Sequence, residues 1–325
     1  MIIDILFLIV GLALILVGAN LLTDGASAVA RRWGVSDMVV GLTVVAFGTS
    51  APELVISVVS AIDGSGELAI GNAVGSNIFN VLVIVGITAL VRPIKVEKIT
   101  MSADIPMVIL SSLVLLAMGL GPLLGDGESR TLWRSNGIVL LLFFAIFMRY
   151  TFAQAKKANP EDSAATDSVK PMPAWKAWLW VVLGLAGLVF GGDKFVDGAS
   201  GIASALGVSD AIIGLTIVAM GTSLPELATS IAAALKGKPG LAVGNVIGSN
   251  IFNIFMVLGV SATIRPLAFG AIGPVDLTVL TAACILFWIF GRFFSTRTIT
   301  RAEGAVLTAG YAAYVAWLIA STLQA

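Results

Sequence analysis

Two glutamates stand inside long apolar stretches, each behind a Thr-Ser pair and a proline: GTSAPE at 48–53 and GTSLPE at 221–226. An intramembrane carboxylate costs at least about 2.5 kcal/mol on insertion scales, so Glu53 and Glu226 need compensation, and no basic residue lies within several helical turns of either. Pro52 and Pro225 cannot donate to the carbonyls of Gly48 and Gly221 and clash with the preceding turn. A helix should therefore break at each motif and expose carbonyls near Ala46, Thr49, Ala219 and Thr222. Thr49 and Glu53 are four apart, as are Thr222 and Glu226, which predicts one shared helical face; Ser50 and Ser223 add hydroxyls. A second motif, GNAVGSNIFN at 71–80 and GNVIGSNIFN at 244–253, places Asn72, Ser76 and Asn80 on one stripe and Asn245, Ser249 and Asn253 on another. Its glycines, Gly71 and Gly75 with Gly244 and Gly248, form small-xxx-small faces for close helix approach. All the ligands offered are oxygen. That suits a hard cation: Ca²⁺ takes about six to eight oxygens in flexible geometry, whereas Mg²⁺ demands a tighter octahedron.

The elements that position these groups come in duplicate. Every paired residue above is 173 positions from its counterpart, and a gapless match of about half-identical residues runs from Asp24/Asp197 to Pro93/Pro266. Apolar residues make up 58% of the 325, charged residues 12%, and mean hydropathy is +1.01. With no period-2 alternation to suggest a barrel, the expected fold is an all-α polytopic membrane protein. Ten transmembrane helices are expected at about 3–22, 39–61, 68–91, 103–121, 134–152, 177–196, 212–235, 241–264, 272–291 and 303–321. The N-terminal apolar stretch lacks a basic region before it and reads as the first span. Five spans separate the two copies, an odd number, so the copies cross in opposite directions. Inverted repeats with broken helices around a mid-membrane ion site are typical of secondary transporters.

Fifteen of the nineteen Lys and Arg lie in loops after odd-numbered spans, which places both termini outside the cell membrane. The polar, Pro/Ala/Ser-rich stretch 154–174 is then a cytoplasmic linker between a first five-helix half, 1–153, and a second, 175–325. Histidine is absent and the single cysteine, Cys284, lies in an apolar span, which argues against zinc or copper handling, histidine-based catalysis and a disulfide framework. No enzyme motif is present, and a net charge of zero gives no case for nucleic acid. No cofactor or obligate protein partner is expected. Asp24 and Asp197 fall at span ends and Asp104 and Asp276 near span starts, all read as interfacial caps. Asn77 and Asn250 point off the polar stripes and read as structural; the tryptophans, including Trp133, Trp175, Trp178 and Trp180, read as interfacial anchors.

GTSxPE followed by GNxxGSNIFN, present twice, resembles the α-repeats of the cation/calcium exchanger superfamily, closest to the prokaryotic sodium/calcium exchangers. The resemblance covers both repeats and the ten-span layout. It implies antiport of Ca²⁺ against Na⁺, with Glu53 and Glu226 as shared ligands. It further implies Ca²⁺ on the Thr49 and Thr222 carbonyls, Na⁺ at Ala46, Ser50, Ser76, Ala219, Ser223 and Ser249, and Asn80 and Asn253 lining the central site. Asn72 and Asn245 are expected to support these ligands from behind. Some relatives, potassium-dependent ones among them, carry Asp where this chain has Asn253, which weakens the case for K⁺ co-transport. A Ca²⁺/H⁺ antiporter would use the same carboxylates, and a cation channel is the more distant alternative.

Overall fold

The computed structural model describes residues 1–121, 130–155, 172–206, 219–294 and 296–324. Its helices are α1 (Ile2–Trp33), α2 (Asp37–Thr49), α3 (Ala51–Ile62), α4 (Gly66–Val91), α5 (Thr100–Gly119), α6 (Arg134–Ala155), α7 (Ala174–Ala205), α8 (Leu224–Leu235), α9 (Pro239–Ile264), α10 (Pro274–Phe294) and α11 (Arg301–Gln324). Among the described residues eight helices are long and apolar enough to cross a membrane, or nine if α2 and α3, bent by 47° at their junction, count as one span. The fold is all-helical and polytopic. The expected span 212–235 begins outside the described residues, as does most of the expected linker.

The chain sorts into two compact units, Met1–Pro52 with Phe147–Ser249, and Glu53–Ile146 with Asn250–Ala325. In the first, α1 and α7 pack along each other on a glycine seam. Gly11, Gly18 and Gly25 recur every seven residues on α1, and their 173-offset counterparts Gly184, Gly191 and Gly198 do so on α7. A Cβ on Gly18 would lie 2.8 Å from the Gly184 carbonyl oxygen, and one on Gly184 would lie 2.5 Å from the Leu22 nitrogen. The backbones touch where the side chains are missing. The 173-residue offset thus also relates glycines that precede the Asp24 start of the gapless match.

Asp24 and Asp197 are not at helix ends, because α1 and α7 run on to Trp33 and Ala205. Each is held instead by a lysine: Asp24 by Lys236 at 2.7 Å and Asp197 by Lys194 at 2.8 Å. α1 ends at Gly34, whose φ of +64° is the left-handed cap that glycine adopts without strain.

In the second unit α4 packs on α11 where Gly86 leaves room: a Cβ there would be 2.9 Å from the Gly304 carbonyl oxygen. The equivalent Gly259 of α9 faces Gly137 of α6 in the same manner. α4 and α9 both stop before proline. Arg92 and Arg265, which precede Pro93 and Pro266, are extended at φ −148° and −147°, as the proline ring requires of its neighbour. The extended chain then forms short ladders that an all-α expectation omits. β1 (Ile94–Lys95) pairs with β4 (Thr298–Ile299), and β2 (Thr131–Leu132) pairs with β3 (Leu267–Ala268), both antiparallel. Asp276 caps α10 as expected, accepting from the Gly273 backbone nitrogen at 2.6 Å.

Candidate functional site

Both GTSxPE motifs break their helices, at Ser50 and at Ser223. The two serines have nearly the same backbone, φ −88°, ψ 8° and φ −91°, ψ 3°, in the sparsely allowed bridge region. Each glutamate then falls in the first turn of a new helix, Glu53 in α3 and Glu226 in α8. There the helix dipole favours a carboxylate by about 0.3 to 1 kcal/mol. Both are fully buried, at 0% and 1% exposure.

The break corrects two expectations. Ala46 does not surrender its carbonyl, which accepts the Ser50 N–H at 3.0 Å. Nor do Thr49 and Glu53 share a helical face, since the bend lies between them. The Thr49 hydroxyl turns instead to Asn245 Oδ1 at 3.1 Å, with Ala46 O at 3.5 Å as its second acceptor.

In the first unit five of the expected residues converge. Ser50 Oγ donates to Glu226 Oε1 at 2.9 Å, and Ser249 Oγ donates to the same oxygen at 3.4 Å. Asn245 Nδ2 donates to the Glu226 backbone carbonyl at 3.2 Å and to Ser230 Oγ at 3.1 Å, while its Oδ1 receives Thr49. A hydrogen bond to a charged group contributes about 1.5 to 3 kcal/mol, so the two hydroxyls offset a penalty of the order of the insertion cost. Glu226 Oε2 is left buried with no hydrogen-bond partner among the described residues, and so are the hydroxyls of Thr222 and Ser223. The turn Ala219–Gly221 leads into these residues.

In the second unit Asn72 repeats what Asn245 does, donating to the Glu53 backbone carbonyl at 3.3 Å and to Ser57 Oγ at 3.0 Å. Ser76 is buried on the same helix. Asn80 and Asn253 meet in a quartet: Asn80 Nδ2 donates to Asn250 Oδ1 at 3.0 Å, and Asn253 Nδ2 donates to Asn77 Oδ1 at 3.2 Å. With their amide nitrogens held, Asn80 Oδ1 and Asn253 Oδ1 remain buried acceptors without a hydrogen-bond donor among the described residues. Both helices widen into π turns here, over Asn80–Ile84 and Phe252–Val257, a local geometry often found at functional sites.

Asn77 and Asn250 are structural, and their specific task is to orient Asn80 and Asn253. Sequence reasoning missed that pairing, and it missed Ser57 and Ser230, the hydroxyls that hold Asn72 and Asn245. The available signal was their exact recurrence at the 173 offset, four residues after each glutamate. Among the described residues no three His, Cys, Asp or Glu side chains cluster, so any cation held here relies largely on neutral oxygens. Carboxylate, hydroxyl, amide and carbonyl oxygen together suit Ca²⁺ or Na⁺.

The sodium/calcium exchanger protein family model matches residues 3–153 and 176–320. The chain belongs to the sodium/calcium exchanger family. Its similarity to sodium/calcium exchanger MaX1 of Methanosarcina acetivorans is 33% identity, over 96% of this chain and 97% of that one. The CaxA protein of Alkalimonas amylolytica is 41% identical over 99% of this chain and 100% of its own. Among solved structures, the sodium-calcium exchanger NCX_Mj free of Na⁺ and Ca²⁺ superposes with a TM-score of 0.82 at 33% identity, covering 97% of this chain and 98% of that one. A sodium/calcium exchanger family member is a transporter and not an enzyme. Its ions are cargo, and no cofactor-dependent catalysis is involved.

Proposed function

We propose that the chain is a secondary-active antiporter exchanging Ca²⁺ for Na⁺, three Na⁺ per Ca²⁺, by alternating access. In this reading ten spans form two inverted five-helix halves, 1–153 and 175–325, with repeats at about 24–93 and 197–266. The 154–174 linker is cytoplasmic and both termini lie outside the cell membrane. The observation that supports it best is Glu226, a buried carboxylate with one oxygen engaged by two hydroxyls and the other without a hydrogen-bond partner among the described residues.

Glu53 and Glu226 ligate the transported cation, Ca²⁺ also taking the Thr49 and Thr222 carbonyls. Na⁺ uses the hydroxyls of Ser50 and Ser76 and of their counterparts Ser223 and Ser249, with the carbonyls of Ala219 and, once its bonds to the Ser50 N–H and the Thr49 hydroxyl loosen, of Ala46, while Asn80 and Asn253 turn amide oxygens to the centre. Asn72 and Asn245 fix the carboxylate-bearing helices and do not touch the ion. Moving two bare carboxylates through hydrocarbon is costly, so only a cation-loaded site crosses readily, and exchange follows in place of uniport. Ca²⁺ neutralises the two charges; three Na⁺ leave one positive charge to move.

Ca²⁺ uptake into proteoliposomes under imposed Na⁺, K⁺ or H⁺ gradients tests the coupling ion. Uptake driven by Na⁺ alone is expected, and uptake driven by H⁺ alone would establish the Ca²⁺/H⁺ alternative. One charge moving through 100 mV is worth about 2.3 kcal/mol, nearly fiftyfold in the attainable Ca²⁺ gradient. With voltage clamped by K⁺ and valinomycin, after K⁺ transport is ruled out by tracer flux, the reversal point should shift by that amount. A reversal point that ignores voltage means two Na⁺ per Ca²⁺.

A further inference from the structure

Away from the ion-binding motifs, the second unit carries a mostly apolar hollow with cationic residues in its wall, at the end where α5 begins and α10 ends. A cavity of about 660 Å³ opens there, bounded by Lys98, Ser102, Pro106, Trp288, Arg292 and Arg297 among others. It is within the size range of small-ligand pockets. Three of these residues are cations and none is acidic. Among the described residues Lys98, Arg292 and Arg297 make no ion pair with any carboxylate.

The cavity's walls are fixed by backbone and ring contacts. The β1–β4 ladder closes this end of the helices, and Val96 N donates to Arg297 O at 2.7 Å. Arg297 is the sole described non-glycine residue with positive φ, at 57°, an uncommon conformation for a residue bearing a side chain. Trp288 Nε1 donates to Met101 O at 3.2 Å, tying α10 to the first turn of α5. Gly291 leaves room for the Met101 side chain, which any Cβ there would strike.

Beside the cavity the Arg292 guanidinium lies 5.6 Å from the Phe293 ring centroid, and Phe293 and Phe294 are 67% and 71% exposed. Trp288 stands near the end of the same span, and a tryptophan there marks the headgroup level of a bilayer. An occupant must therefore be anionic at the cluster of cations and apolar where it meets Pro106 and Trp288.

We propose that this cavity binds the headgroup of an anionic phospholipid. The phosphate ester sits among Lys98, Arg292 and Arg297, and the glycerol and upper acyl chains follow the apolar wall into the bilayer. Basic pockets between spans recognise anionic headgroups in this way, each cation near the surface being worth about a fivefold change in binding.

Native mass spectrometry of the full-length purified protein tests the site, with phosphatidylglycerol as the probe, phosphatidylcholine as the neutral lipid and inorganic phosphate as the soluble competitor. The wild type should retain phosphatidylglycerol selectively, and Lys98→Gln/Arg292→Gln should weaken that retention by about 25-fold without changing phosphatidylcholine. The charge-preserving Lys98→Arg/Arg292→Lys should keep most of it, which separates lost charge from a disturbed fold. Equal retention of both lipids, or a double-Gln variant that binds like wild type, would overturn the proposal. Displacement of phosphatidylglycerol by inorganic phosphate would overturn the lipid assignment and point to a soluble phosphate ligand.

Discussion

The two GTSxPE motifs have the same chemistry and nearly the same bend, yet among the described residues their hydroxyls differ in hydrogen bonding. Thr49 and Ser50 are bonded, to Asn245 and Glu226, whereas the Thr222 and Ser223 hydroxyls have no hydrogen-bond partner among the described residues. A sequence repeat therefore specifies local backbone, φ and ψ at the serine, without specifying which partners are engaged. In the proposed cycle this inequality belongs to one conformation. The opposite conformation should return Thr222 and Ser223 to hydrogen bonds and release Thr49 and Ser50.

The largest expected effect comes from the carboxylates, where the two copies should not differ. Glu53→Gln and Glu226→Gln each remove one of two charges and should lower Ca²⁺ flux by about 10- to 150-fold, the range for losing a charged hydrogen-bonding or ligating contact. Glu→Asp at either position should also impair flux through lost reach. Near-normal ⁴⁵Ca²⁺ uptake by either folded Gln variant would remove the carboxylates from the transport site.

Asn253→Asp comes next. It adds a carboxylate but loses the Nδ2 donor to Asn77, so thermal unfolding should register about 1 to 3 kcal/mol of destabilisation. Flux measured against external K⁺ and pH should become more sensitive to monovalent cations, because an under-occupied site now carries more charge. Curves identical to wild type would mean that Asn253 does not face the ions.

Ser50→Ala and Ser223→Ala address the inequality itself. If the cycle visits both arrangements, each should slow turnover by a similar factor, about tenfold, the lower end for one hydrogen bond to a charged group. A defect confined to Ser50→Ala in a steady-state flux assay would show that the difference is static.

The smallest expected difference separates Asn245→Ala from Asn72→Ala. Asn245 makes three described hydrogen bonds and Asn72 two, so chemical denaturation should find the first costlier by about 1 kcal/mol. Equal costs would mean that the Thr49 contact contributes nothing to stability.

Local rules made the breaks and the carboxylates legible. Proline lacks a donor wherever it stands, so Pro52 and Pro225 announce a bend from their own chemistry. What stayed hidden depends on distant partners. Nothing near Asn77 in the chain points to Asn253, 176 positions away. Asp24 and Asp197 look like span ends because each is a charged residue after an apolar run, but the helices run on past both, Asp24 paired to the distant Lys236 and Asp197 to Lys194 on its own helix. The glycine seam was legible but unread: its period of seven lies in the sequence, and only the contact between α1 and α7 shows that the two sets oppose each other. The ladder β1–β4 had no signal beyond Arg92-Pro93 and two residues on each side.

The asparagine quartet has one more consequence. Asn80 reaches Asn250 while Asn253, its counterpart, reaches Asn77, the counterpart of Asn250. Such reciprocity is the mark of an isologous contact, the kind a two-fold axis creates between identical subunits. The two asparagine pairs of this single polypeptide are thus related as in a homodimer, and one altered copy meets an unaltered one. Asn77→Leu strands the Asn253 amide and Asn250→Leu strands the Asn80 amide, so the repeats can drift apart in sequence at these four positions only by matched changes.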